Sequence, residues 1–240
     1  MTIPDQKIKK PVAIITGASR GIGAATALRL AEQGYQTVLV ARKTTDLQAL
    51  AATLPGESFI CGGSVTDEAF IEKIVSQTIK LYGRIDLVVL NAGVGSFGEI
   101  EKTSAQDYDR MMEVNVKGSF LLTKAVTPFL KEQKSGTFIF ITSDVATRTF
   151  AGGSIYCASK YAQHALSDAL RKEVRPFGIR VGAIYPGLTA TNFADSDPHD
   201  TSKAGWLKPN DIADAISYIA EAPAHVSIDS IMLHPMEQDW

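Results

Sequence analysis

The sequence predicts an α/β fold: a single-domain, doubly wound sheet of seven parallel strands with helices on both faces. Three observations predict it. Short apolar runs rich in β-branched residues alternate with longer helical patterns along the whole chain. The first run leads directly into a glycine-rich turn, a helix and a second strand, which is one βαβ unit. No Pro/Ser-rich linker or change of composition divides the 240 residues, so 1–240 reads as one domain.

The elements follow in order. Val12-Ala13-Ile14-Ile15 is a buried strand. Thr16-Gly17-Ala18-Ser19-Arg20-Gly21-Ile22-Gly23 turns the chain into a helix that Gly34 closes. Residues 37–40 form the second strand, 45–54 a helix ended by Pro55-Gly56, and 59–61 a third strand. Asp67 N-caps a helix to Tyr82, with Gly83 just past its end. Residues 87–90 make a fourth strand, followed by the small-residue turn Asn91-Ala92-Gly93. The stretch 104–131 is helical, as two helices with Asn115 between or within them. A fifth strand, 137–142, ends at Ser143. The next helix carries Tyr156 and Lys160 and stops at Pro176-Phe177-Gly178. A sixth strand, 180–184, runs into Tyr185-Pro186-Gly187; a helix over 211–221 and a strand over 226–233 complete the sheet.

Composition excludes several classes. Lys and Arg total 24 against 26 Asp and Glu, a net charge of −2 with no basic block, so nucleic acid is not an expected partner. Cys61 and Cys157 match no disulfide or metal spacing and read as small buried hydrophobes. His164, His199, His225 and His234 have no paired spacing, and no metal site is expected. The polar N-terminus is followed by an apolar run too short for a signal core, and no run reaches membrane-spanning length. A cytoplasmic protein without a membrane partner is the expectation.

Two stretches carry chemistry. Between a strand and a helix, glycines let the backbone approach a pyrophosphate closely, and the helix N-terminus offers free N–H groups to it. The spacing Gly17-x-x-x-Gly21-x-Gly23 suits that use, although a turn that binds nothing has the same composition. A carboxylate at the end of the second strand would hold the ribose hydroxyls of NAD. Ala41-Arg42-Lys43 stands there instead, and Arg20 adds a third cation, so a 2′-phosphate and hence NADP is favoured over solvated loop residues.

In Ser154-Ile155-Tyr156-Cys157-Ala158-Ser159-Lys160 the tyrosine and lysine lie four apart, on one helix face. A phenol with an ordinary pKa of about 10 becomes a usable proton donor and acceptor when an ammonium beside it favours the phenolate. The same spacing also occurs in any amphipathic helix.

Taken together, Thr16 to Gly23, Asn91-Ala92-Gly93, Asn115, Ser143, Tyr156-x-x-x-Lys160 and Pro186-Gly187 resemble the short-chain dehydrogenase/reductase superfamily, in its NADP-preferring branch and over essentially the whole chain. The resemblance implies a Rossmann fold and an oxidoreductase moving hydride between NADP(H) and a small carbonyl or alcohol substrate: ketone, aldehyde or hydroxy acid. By position, Tyr156 is the general acid and base, and Lys160 tunes it and bonds the nicotinamide ribose. Ser143 holds the substrate oxygen, and Asn115 holds a relay water. Gly17, Ser19, Arg20, Gly21, Ile22 and Gly23 line the pyrophosphate and adenosine side, with Arg42 and Lys43 at the 2′-phosphate. Ser64 and Val65 sit at adenine, and Asn91, Ala92 and Gly93 beside the ribose. Pro186, Gly187, Thr189 and Thr191 lie towards the nicotinamide. Asn115 also reads as a helix-kink residue, Ser143 as a strand-end cap and Thr191 as an ordinary loop hydroxyl.

Departures narrow the reading. Ser64-Val65 replaces the usual Asp-Val, and Leu90 the first Asn of Asn-Asn-Ala-Gly. The C-terminus lacks the Val-Asp-Gly-Gly ending of many 3-oxoacyl carrier-protein reductases, which remain the alternative enzyme; a non-catalytic NADP-binding sensor is the alternative of another class. A short substrate lid is expected over 188–208, with Phe193 and Trp206. Arg148, Phe150, Ser96 and Phe97 are candidates around the centre, and Asp195, Asp197 and Asp200 disfavour an anionic substrate if they face inward. The resemblance further implies a homodimer or homotetramer.

Overall fold

The structure, a computed structural model, describes residues 10–238. The polar stretch 1–9, read above for targeting, lies outside the described residues, as do residues 239 and 240. The strands are β1 (Val12–Thr16), β2 (Gln36–Ala41), β3 (Ser58–Gly62), β4 (Leu87–Leu90), β5 (Gly136–Ile141), β6 (Ile179–Pro186) and β7 (Ser230–Leu233). The helices are α1 (Gly21–Glu32), α2 (Thr44–Ala51), α3 (Glu68–Tyr82), α4 (Ala105–Met111), α5 (Gly118–Gln133), α6 (Ser154–Val174) and α7 (Pro209–Ala220). One parallel sheet results, in the order β3-β2-β1-β4-β5-β6-β7. Among the described residues no helix is long and apolar enough to cross a membrane.

The period of two along each strand sorts its side chains into two cores. Val12 and Ile14 of β1, with Val88, Phe138 and Val181, pack against α3, α5 and α6 through Ile71, Ile74, Leu122, Val126 and Leu170. Ala13 and Ile15, with Leu39, Val89, Ile139 and Ile184, pack against α1, α2 and α7 through Ala27, Leu30, Leu47, Ile212 and Ile216. Buried strands of this kind need apolar residues at every position, which is why they read as continuous runs.

Helix ends follow local chemistry. The Asp67 carboxylate accepts the Phe70 N–H at 3.1 Å, and Gly83 closes α3 at φ +73°. The stretch 104–131 holds the two expected helices, α4 and α5, joined through a π-turn, Met112–Lys117, in which Asn115 sits. Other boundaries differ from expectation. α2 ends at Ala51, because the Thr53 and Leu54 N–H groups fold back to the Leu50 and Ala51 carbonyls. β7 begins at Ser230 rather than 226, because the Val226 N–H closes a turn on the Pro223 carbonyl.

The chain winds outward from β1 to β3, then returns to lay β4 beside β1. The turns after β1 and β4 therefore open a crevice between them at the carboxyl edge of the sheet. Gly23 shows how tightly they pack: a Cβ there would lie 2.2 Å from the Gly17 carbonyl oxygen and 2.7 Å from Asn91 Nδ2. Gly23→Ala is expected to cost about 1–3 kcal/mol of stability by overpacking, read from urea denaturation. An unaltered midpoint would show that α1 can shift off the turn.

Candidate active site

Thr16 and Asn91 lock the two turns together. Thr16 Oγ1 donates to the Val89 carbonyl at 3.2 Å and accepts the Asn91 and Ala92 N–H groups, each at 3.0 Å. Asn91 Nδ2 donates to the Thr16 and Gly17 carbonyls at 2.9 and 3.2 Å. The Asn91 amide, read from sequence as a ribose neighbour, is thus a latch on the glycine turn. Gly17 and Gly21 take φ +64° and +56°, which glycine adopts without steric cost. The Arg20 side chain does not cap α1, and among the described residues its first-turn N–H groups have no side-chain partner. Ser19 and Ile22 complete this turn.

At the end of β2, Arg42 and Lys43 are exposed, as is Arg20, and none of the three has an ion-pair partner among the described residues. Ser64 bonds the Thr66 hydroxyl at 2.8 Å, and Val65 is buried against Gly118. Exposed cations beside a tight glycine turn and an uncapped helix fit a dinucleotide carrying an extra phosphate.

The sheet brings the remaining predicted groups together at the ends of β4, β5 and β6. Ser143, buried after β5, has its hydroxyl 3.0 Å from Asp144 Oδ1 and 3.3 Å from the Pro186 carbonyl. The Tyr156 phenol lies within hydrogen-bonding reach of that hydroxyl. Burial pushes the phenol well up, the Ser143 bond pulls it down, and Asp144 raises it further. The two oxygens can therefore converge on one substrate oxygen.

Lys160 is buried, and its Nζ donates to the Ile141 carbonyl at 3.1 Å and to Gln163 Oε1 at 2.8 Å. Burial lowers it to about 7. Its nitrogen lies 5.8 Å from the centre of the Tyr156 ring. Burial, rather than a neighbouring ammonium, is the largest influence on the phenol. The lysine is held by carbonyl oxygens, and desolvation governs both groups.

Asn115 ties the β4 turn to α6. Its side chain donates to the Val94 carbonyl and to Ser159 Oγ, each at 2.9 Å, and accepts the Val94 N–H at 2.8 Å. Its backbone carbonyl accepts the Ser119 hydroxyl at 2.8 Å. Gly93 lies beside both groups: a Cβ there would be 3.5 Å from Asn115 Oδ1 and 3.6 Å from Lys160 Nζ.

Aromatic rings surround the phenol. Phe97 meets the Tyr156 ring edge-on at 5.4 Å, Phe193 lies 5.5 Å away on another side, and Phe150 backs Phe97 at 5.7 Å. Phe193 arrives on the loop after Gly187. Thr189 donates to the Gly187 carbonyl, Thr191 Oγ1 accepts the Phe193 N–H, and the Thr191 side chain sits against Gly21. Asp197 and Asp200 are exposed and accept loop N–H groups from His199 and Ser202, so they do not line the centre. The Asp195 side chain lies outside the described residues. Lys203, buried in this loop, bonds Ser196 Oγ and the Asp197 carbonyl and lies 5.6 Å from the Trp206 ring. Among the described residues no cluster of metal-ligating side chains forms.

Four groups escaped the sequence reading. Asp144 binds Ser143, Arg148 and Gln238, and Gln238 also accepts the Leu188 N–H at 2.8 Å. Gln163 and Ser119 join Lys160 to Asn115. A polar Gln three residues after Lys160 on the inward face of α6 was a legible signal; the Gln238 contact, 94 residues from its partner, was not.

Comparison with known proteins gives a consistent picture. The family model described as short chain dehydrogenase matches residues 11–202. The chain is 32% identical over 240 residues to the sepiapterin reductase of Chlorobaculum tepidum, covering 96% of this chain and 98% of that one. It superposes with a TM-score of 0.90 and 34% identity on the alcohol dehydrogenase of the archaeon Thermococcus sibiricus, complexed with 5-hydroxy-NADP, covering 96% and 98% of the two chains. A closed serine dehydrogenase complexed with NADP+ gives 0.89 and 30%, over 95% and 96%.

The buried lysine makes stability depend on pH. Its folded value of about 7 lies below the unfolded 10.5, so the unfolded chain binds more protons between them and stability rises with pH through that window. Lys160→Met removes the dependence. The variant should gain on wild type by about 1 kcal/mol for each pH unit lowered from pH 9 to pH 7, measured by urea denaturation. A difference independent of pH would show that the amine stays charged in the fold.

Proposed function

The chain belongs to the short chain dehydrogenase family, and on that premise we propose that it is an NADP(H)-dependent oxidoreductase interconverting a small ketone or aldehyde and its alcohol. The observation that carries this reading is the convergence of the Ser143 hydroxyl and the Tyr156 phenol beside buried Lys160, at the carboxyl edge of the sheet. Bound NADPH supplies the hydride. Ser143 donates to the substrate oxygen as charge grows on it, and Tyr156 delivers the proton. Lys160 steadies the phenolate that remains. Arg42, Lys43 and Arg20 receive the 2′-phosphate and pyrophosphate side, a reading supported by the NADP complexes of similar structures.

Phe97, Phe150 and Phe193 favour an apolar or aromatic substituent on the substrate. Arg148 pairs with Asp144 rather than standing ready for a carboxylate, which favours a neutral carbonyl compound over a hydroxy-acid anion. Residues 188–208 act as the lid, with Phe193 as its inward wall. A homodimer or homotetramer is the assembly we expect, and exposed Phe120 on α5 and Tyr161 on α6 support it. A purely sensing role is disfavoured by the complete Asn115, Ser143, Tyr156 and Lys160 set.

The test is NADPH absorbance during incubation with a panel of neutral aryl and alkyl carbonyl compounds; binding without oxidation by any of them favours the sensor. Tyr156→Phe should lower kcat by about 10²–10⁴ while leaving NADPH affinity nearly intact; equal loss of both would make the tyrosine structural. Arg42→Asp should shift the NADPH/NADH preference towards NADH by about tenfold or more, and an unchanged ratio would exclude Arg42 from the phosphate site.

A further inference from the structure

Lys160 is 4% exposed, and Gln163, nearly one turn further along α6, is fully buried. The orientation of the Gln163 amide is dictated from a distance. The Asn115 backbone carbonyl can only accept, so the Ser119 hydroxyl donates to it, at 2.8 Å. Ser119 Oγ then offers a lone pair, which takes a Gln163 Nε2–H at 2.9 Å. That leaves Gln163 Oε1 facing Lys160 Nζ, which donates to it at 2.8 Å. The π-turn that places the Asn115 carbonyl thereby decides which end of the amide meets the lysine.

We propose that Gln163 is a positioning residue for Lys160: its side-chain carbonyl, aimed by the line running from Asn115 through Ser119, holds the lysine nitrogen in place and sets how firmly it keeps its proton. The inference rests on the reading of Tyr156 and Lys160 as the reacting pair.

Burial is the main influence on the nitrogen, and the Ile141 carbonyl is its second acceptor beside Gln163. The β4 turn presents Gly93, the π-turn Asn115 and β5 the Ile141 carbonyl, all neutral. Tyr156, on the same helix, is the titratable group beside it. Asp144, on the turn after β5, is engaged by Ser143, Arg148 and Gln238. Burial is the cause of the lowered lysine value. An acceptor oxygen opposes burial, because it stabilises the ammonium more than the amine.

The test is an NMR titration of the isotope-labelled Lys160 side chain in cofactor-free protein, beside the pH profile of kcat for carbonyl reduction. Gln163→Leu removes the acceptor and should lower the lysine midpoint by about one unit, while Gln163→Glu places a carboxylate there and should raise it by about as much. The high-pH loss of kcat should move in the same directions. Ser119→Ala frees the amide to turn and should lower the midpoint by less; it serves where a Gln163 variant does not fold. A midpoint unmoved in the folded variants overturns the proposal, however far kcat falls. A midpoint that moves while the kcat profile stays put keeps Gln163 as the lysine's positioning residue and overturns the assignment of Lys160 to the reaction.

Discussion

A lysine nitrogen withdrawn from water must find its hydrogen-bond partners within the chain, because a buried polar group left unpaired costs several kcal/mol. The carboxyl edge of this sheet is arranged around that requirement. β5 ends so that the Ile141 carbonyl reaches Lys160, and α6 places Gln163 Oε1 within hydrogen-bond distance of the same nitrogen. Gln163 needs Ser119, and Ser119 needs the Asn115 carbonyl, which the π-turn exposes between α4 and α5. Four elements therefore meet at one amine, and none of them can shift without stranding a polar group.

The crevice next to this network is built in the same way, from backbone groups satisfied by short side chains. Thr16 and Asn91 join the β1 and β4 turns through five hydrogen bonds between side chain and backbone. With the turns so close, only glycine fits at position 23. A crevice held together in this way needs little rearrangement to take a ligand. Preformed N–H groups at α1 and exposed cations at the end of β2 stand on the same edge.

Polarity changes across a short distance around Tyr156. One side of the phenol faces Ser143 and, behind it, the Asp144 carboxylate with its Arg148 and Gln238 partners. The other side faces Phe97 and Phe193. Gln238 joins Asp144 to the Leu188 N–H, so the C-terminal segment ties the root of the loop after β6 to the turn that carries Ser143. Such a boundary orients a molecule with one polar end and one apolar body.

Periodicity and turn chemistry made the fold legible. Continuous β-branched runs can only be buried on both faces, and Asp67 and Gly83 mark the ends of α3 through interactions confined to a few residues. The residues with the relevant chemistry were also legible by type and spacing: the glycine turn, Arg42-Lys43, and Tyr156 with Lys160 four positions on. What each does to its neighbours was not. The spacing suggested an ammonium lowering a phenol, whereas burial raises the phenol and lowers the amine. Asn91 became a latch, and Gln163, Ser119, Asp144 and Gln238 acquired partners up to 94 residues away. Local preferences depend on neighbours in the chain and can be read from it. Desolvation and hydrogen-bond partnership depend on which distant segments close over a group, and only the packed structure decides that.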